Sequence, residues 1–93
     1  MILEVAVLHI KRGLSIEFEA NFQKAKEIIS SMEGYISHTL KKCIEEEDKY
    51  LLLVNWESIE AHKTGFRKSE KYKHWKSLLH HFYEPFPKVE YYK

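Results

Sequence analysis

The sequence predicts an α+β fold in which four antiparallel strands carry two helices on one face, in the order β-α-β-β-α-β. Three observations carry this prediction. The stretches Ile2 to Ile10 and Leu51 to Val54 are continuous or nearly continuous apolar runs, the mark of strands covered on both faces. Two other stretches space their apolar residues three and four apart, as helices with one buried stripe do. Gly34, Ser58, Ser69 and Pro85 stand where such elements must begin or end. This order is the split β-α-β arrangement, which places both helices on the same side of the sheet.

The elements follow in turn. ILEVAVLHI, Ile2 to Ile10, is β-branched and aliphatic with only Glu4 and His9 interrupting, so it forms the first strand. After the turn at Lys11 to Gly13, Ser15 is placed to cap a helix of about 17 residues bearing Phe18, Phe22, Ala25, Ile28, Ile29 and Met32. Gly34 is its expected left-handed stop. Tyr35 to Ile44 then alternates, with Ile36, His38, Leu40, Lys42 and Ile44 on one side, and reads as a more polar second strand. The acidic run Glu45 to Asp48 is a solvated turn, and the strand from Tyr50 returns as the hairpin partner. Beyond Ser58 the pattern is helical twice over with a break near Arg67 to Ser69, where Ser69 caps the second piece. Tyr72, Trp75, Leu78, Leu79 and Phe82 share one face of that piece. Pro85 and Pro87 keep the chain extended into a last strand at Lys88 to Tyr92.

Composition limits what such a chain does. Ninety-three residues suffice for one domain, 1–93, around one core. With 15 basic and 14 acidic side chains, a formal charge of +1 gives no electrostatic footprint for nucleic acid. No apolar run approaches the roughly 20 residues of a membrane-spanning helix. A single cysteine, Cys43, precludes an intrachain disulfide, and no signal peptide is evident, so a cytoplasmic location is expected. Because the first and third strands are apolar on both sides, the sheet face without helices must be covered, and a homodimer packed sheet to sheet is expected. The alternative is that FYEPFPKVEYY folds across that face within one chain.

Candidate chemistry gathers at the end of the third strand. Asn55, Trp56 and His62 bring an amide, an indole and an imidazole to a strand-to-helix corner. Asn55 has the capacity to hold a substrate oxygen, Trp56 to stack on a flat ring, and His62 to act as a general base at neutral pH. Each also has a structural reading: backbone satisfaction, packing, and a helix-face histidine. Tyr72 and Trp75 line a cavity or fill a core. His9 and His38 are further candidates for substrate contact, placed to meet across the sheet, but they lack a third ligand at metal-site spacing, so no metal is expected.

The segments ILEVAVLHIKRG, GYISHTLKKCIEEEDKYLLLVNWESIEAHKTGFRKSEKYKHW and LLHHFYEPFPKVEYY together resemble the antibiotic biosynthesis monooxygenase domain family, above all in WES with His62 downstream, in GFRKSEKYKHW and in FYEPFP. The resemblance implies a ferredoxin-like fold, a dimeric α+β barrel, and a cavity between sheet and helices in each subunit. For function it implies one of two groups. The first oxidises phenols to quinones with dioxygen and no cofactor, its asparagine, tryptophan and tyrosine orienting the substrate; Asn55, Trp56 and Tyr72 are the matching types. The second degrades haem. There Trp75 and Lys76 fall where an iron-ligating histidine is expected and the first strand offers no asparagine, leaving only His74 or His80 on neighbouring turns. The leading expectation is therefore a cofactor-independent monooxygenase acting on an aromatic or quinone-like small molecule. The alternatives are a non-catalytic dimeric ligand-binding or stress-response module and, behind it, a haem-degrading enzyme.

Overall fold

A computed structural model describes residues 1–93. Strands β1 (Ile2–His9), β2 (Tyr35–Lys42), β3 (Lys49–Trp56) and β4 (Val89–Tyr92) form one antiparallel sheet in the order β2-β3-β1-β4. Helices α1 (Ser15–Ser30) and α2 (Glu70–Leu79) cross one face of it, giving the expected ferredoxin-like arrangement. No helix is long and apolar enough to cross a membrane.

Alternation along the central strands decides which residues meet the helices, since successive side chains of a strand point to opposite faces. Ala6, Leu8 and Ile10 from the first strand's run and Tyr50, Leu52, Val54 and Trp56 from β3 face inward. They pack against Phe18, Phe22, Ala25 and Ile29 of α1 and Trp75 and Leu79 of α2 in one core. The opposite face carries Leu3, Val5 and Val7 opposite Asn55, Leu53 and Leu51 in register. It has no helix over it, and Val7 is 38% exposed.

Several local features differ from the sequence expectations. Ser15 is the first residue of α1 rather than its cap; its hydroxyl donates instead to Asp48 Oδ1 at 2.5 Å. Asp48 also accepts from the Gly13 amide at 3.3 Å, so the hairpin loop is tied to the turn that opens α1 rather than being wholly solvated. These two bonds hold the Asp48 carboxyl below its usual range. Strand β2 ends at Lys42, leaving Ile44 99% exposed, and a bulge between Tyr35 and Ser37 turns Ile36 outward.

The largest departure follows β3. Ser58 caps the next turn as expected, accepting from the Ala61 amide at 3.2 Å. Residues Ala61–Phe66 then form a π-helix, whose wider turn is closed by the bond from the Arg67 amide to the His62 carbonyl at 3.0 Å. Ser69 caps α2, accepting from the Tyr72 amide at 3.1 Å. A short 3-10 helix, His80–Phe82, leads into an extended strap, residues 84–88, held at its start by the Glu84 amide on the His9 carbonyl at 2.8 Å and at its end by β4.

Candidate active site

Glu4 is the one charged residue on the inward face of β1, and it lies 5% exposed in an otherwise apolar layer. Such a carboxyl needs partners, because burial without them costs several kcal/mol. Trp56 supplies one: its indole Nε1–H donates to Glu4 Oε1 at 2.9 Å. His62, 4% exposed on the π-helix, brings Nε2 to 3.4 Å from the same oxygen. On its other side the imidazole Nδ1 meets the Tyr91 hydroxyl at 2.6 Å. Wide π-helical spacing lets His62 and Phe66 both face the sheet, with their rings 5.3 and 5.9 Å from that of Trp56.

Burial dominates the protonation of this cluster. It draws His62 down to about 4, with the charges of Arg67 and Lys63 adding to the effect, so the ring is neutral at pH 7. It raises Glu4, against the Trp56 hydrogen bond and the Arg67 charge, which pull the other way. The 3.4 Å contact alone would favour an ion pair, yet both partners move toward their neutral forms. Burial thus disfavours the doubly charged pair.

Glu4 and His62 open onto a cavity of about 40 Å³ between the sheet and α2, walled by Phe66, Tyr72, Trp75 and Tyr83 and reached by Arg67. Phe86 and Pro87 of the strap flank it. Phe86 is nevertheless 58% exposed and stands edge-on to His80 at 4.9 Å. His80 also lines the cavity and is drawn down to about 4 by burial, then by Lys76 and Arg67. Burial raises the Tyr83 hydroxyl as well, helped by Tyr72 and Glu4.

Of the residues singled out from sequence, His62, Tyr72 and Trp75 meet at this cavity. Trp56 stands behind it, fully buried, holding Glu4. Asn55 does not join them: as the strand neighbour of Trp56 it points to the opposite face, where it donates to Ser37 Oγ at 3.0 Å. His9 and His38 do not meet either. They lie on opposite faces with β3 between their strands; His9 pairs with Glu46 at 3.8 Å, and His38 Nδ1 meets the Tyr35 hydroxyl at 2.5 Å. Glu4, Arg67, Tyr83 and Tyr91 were not anticipated, and His80 was named only as a possible iron ligand. The signal for Glu4 was available, a lone charge in phase with Ala6, Leu8 and Ile10. The donors present do not suit haem, because Trp75 holds the cavity-facing place on α2, His74 is exposed and the His80 ring packs against Phe86 and Tyr83.

Comparison with known proteins agrees with this architecture. Residues 1–78 match the family profile described as antibiotic biosynthesis monooxygenase. The chain is 58% identical over 93 residues to the uncharacterized protein YczJ of Bacillus subtilis (strain 168), covering 100% of this chain and 98% of that one. A Bordetella bronchiseptica crystal structure carrying the same family name superposes with a TM-score of 0.94 at 27% identity, covering 99% and 94% of the two chains. SnoaB, a cofactor-independent oxygenase from Streptomyces nogalater, shares the fold with a TM-score of 0.85 at 15% identity over 99% and 90%.

Proposed function

This chain belongs to the antibiotic biosynthesis monooxygenase family, and from that premise we propose that it is a cytoplasmic monooxygenase that uses dioxygen without metal or organic cofactor on a small phenolic or quinol-type ring, with residues 1–93 as its one domain. The observation that carries this reading is the cavity in which a buried proton acceptor pair, Glu4 and His62, faces aromatic walls. A phenol gives up its proton there, and the Arg67 guanidinium at the cavity stabilises the phenolate oxygen. The electron-rich ring then reduces dioxygen. A ring carbon exchanges its one hydrogen for an oxygen atom, becoming a carbonyl, and the second oxygen leaves as water with that hydrogen and the phenolic one, so the substrate supplies all four electrons. Tyr72 and Trp75 hold the ring's faces, and Trp56 acts by positioning Glu4. The cofactor independence of SnoaB supports the same chemistry.

Cavity size narrows the substrate. A cavity of about 150 Å³ admits one benzene, whereas the cavity here measures about 40 Å³. Entry therefore requires the strap carrying Phe86 and Pro87 to lift, which favours one- or two-ring phenols over large polycycles. Oxygen-electrode assays over hydroquinones, naphthols and anthrones should show uptake above autoxidation, falling at least about 100-fold in His62→Ala. In Phe86→Ala the preference should move to the larger rings. No uptake above autoxidation with any of these would sink the enzyme reading. A second reading, a dimeric module that binds a ligand without turnover, draws on the same small cavity; calorimetric binding of a phenol with no oxygen consumption would establish it.

The reading includes a homodimer. Leu3, Val5, Val7, Leu51 and Leu53 make an apolar face of the kind a second copy of the same face covers. Sedimentation equilibrium should return twice the 11.2 kDa chain mass, and Leu53→Lys should return the single-chain value. A wild-type monomer at micromolar concentration would refute this.

A further inference from the structure

The monooxygenase reading needs a route for the phenolic proton, and the cavity's polar groups are buried, Glu4 at 5% and His62 at 4% exposed. Its polar end is built from residues far apart in sequence: Glu4 on β1, His62 on the π-helix and Tyr91 on β4. Two of the three, Glu4 and His62, line the cavity, and Tyr91 does not. Tyr91 lies on the outer side of the imidazole, half-buried, with the Lys63 ammonium 5.7 Å from its ring centroid. A carboxyl, an imidazole and a phenol thus stand in line from the interior to the surface, each adjacent pair joined through a different ring nitrogen of His62. A purely structural role explains this arrangement poorly, since a buried polar cluster of this kind is commonly matched or exceeded in stability by apolar residues of the same shape.

We infer that Glu4, His62 and Tyr91 form a proton relay between the buried end of the cavity and solvent, which carries the substrate's proton outward. The steps balance as follows. The phenolic O–H breaks and its proton passes to the Glu4 carboxylate. Glu4 hands a proton to His62 Nε2, and the proton on Nδ1 moves to the Tyr91 oxygen. Tyr91 releases its own proton to water, leaving the phenolate in the cavity as the one added charge, which Arg67 faces. His62 thereby changes tautomer, and the same path run inward restores it: Tyr91 donates back to Nδ1 and takes a proton from water, Nε2–H returns its proton to Glu4, and that proton passes to the second oxygen as it leaves as water, so no proton is gained or lost over the whole cycle.

Two details of the cluster bear on the steps. Trp56 Nε1–H donates to the same Glu4 oxygen that faces His62, fixing the carboxyl in line with the ring. The 3.4 Å separation at the Glu4–His62 link exceeds a transfer distance, so this link closes only when the ring tilts toward the carboxyl, as catalytic contacts commonly do once substrate is bound. The other charges facing the relay are Arg67, ahead of α2, and Lys63 on the π-helix; both disfavour a lasting imidazolium, which suits a carrier that holds the proton only in passing.

Because the inference rests on the monooxygenase reading, its test is chosen to need no substrate. In the full chain, ring-¹⁵N NMR reports the His62 tautomer, and the exchange of its ring N–H with water reports the outward path. Tyr91→Phe is expected to slow that exchange at least about tenfold, because the outer carrier is gone. Glu4→Gln is expected to shift the tautomer ratio. If Tyr91 merely shields the ring, its loss leaves exchange unchanged or faster, and that result overturns the relay. A tautomer ratio that ignores Glu4→Gln overturns it too. Slowed exchange in a protein that oxidises no phenol would leave the relay standing and remove the monooxygenase reading alone.

Discussion

Trp56→Ala should lose about 3–5 kcal/mol of stability from packing alone, the usual cost of removing a large aromatic side chain from a core. Trp56 is fully buried, with the rings of Tyr35, His62 and Phe66 about it. A second cost follows, because the indole N–H is the hydrogen-bond donor to Glu4, and a buried carboxyl deprived of it loses about 1–3 kcal/mol more. Against a total stability of about 5–15 kcal/mol for a domain of this size, the variant should be largely unfolded at 37 °C. Trp56→Phe separates the two costs, keeping most of the volume while deleting the donor. It should also raise the Glu4 pKa further, since the indole bond is what lowers it. Urea denaturation with unchanged slope checks both variants, and a Trp56→Ala loss below about 2 kcal/mol would contradict the packing described here.

Gly34→Ala should be nearly as damaging for a different reason. The residue has φ +87, a region costing a side-chain-bearing residue about 1–2 kcal/mol, and an added Cβ would lie 2.5 Å from the Ala61 Cβ. Overpacking of that kind adds about 1–3 kcal/mol, giving an expected loss of about 2–5 kcal/mol. Gly34 also accepts the Glu57 amide at 2.8 Å, so the backbone has little room to retreat. Ala61→Gly relieves the clash but not the backbone strain. A double-mutant cycle should therefore recover about 1–3 kcal/mol as coupling and leave the rest. Simple additivity of the two losses would show that the contact is accommodated elsewhere. Since His62 follows Ala61 directly, Gly34→Ala should also broaden the His62 ring resonances.

The element order was legible because each element carries its own signal: apolar runs for the inner strands, spacing of three and four for the helices, and Ser58, Ser69 and Gly34 at their ends. What composition and spacing did not reveal were departures from regularity. Nothing in AHKTGF marks a π-turn, and nothing in YIS marks the bulge that turns Ile36 to solvent. The site was less legible for a geometric reason. Asn55 and Trp56 are adjacent in a strand and so belong to opposite faces, and the candidate corner built on both of them had to divide. Glu4 and Tyr91 went unnoticed because their importance arises from one another across 87 residues of chain, a relation that no local window contains. His80 entered from the sequence only as a possible iron ligand on a neighbouring turn; the strap packed against it is what half-buries it.

The sheet's free margins bear on how this protein ages in a crowded solution. At one margin β2 begins in a bulge and ends in Lys41 and Lys42; at the other, β4 is only four residues long. A strand edge that is irregular, cationic or short is a poor template for another chain's backbone. Growth by adding strands, the route to fibrils, is thus blunted on both sides. The face-to-face pairing proposed above would cover the apolar face of Leu3, Val5, Val7, Leu51 and Leu53 in a single event. Assembly should accordingly stop at a closed pair, and prolonged storage of the concentrated protein should yield no thioflavin-positive material.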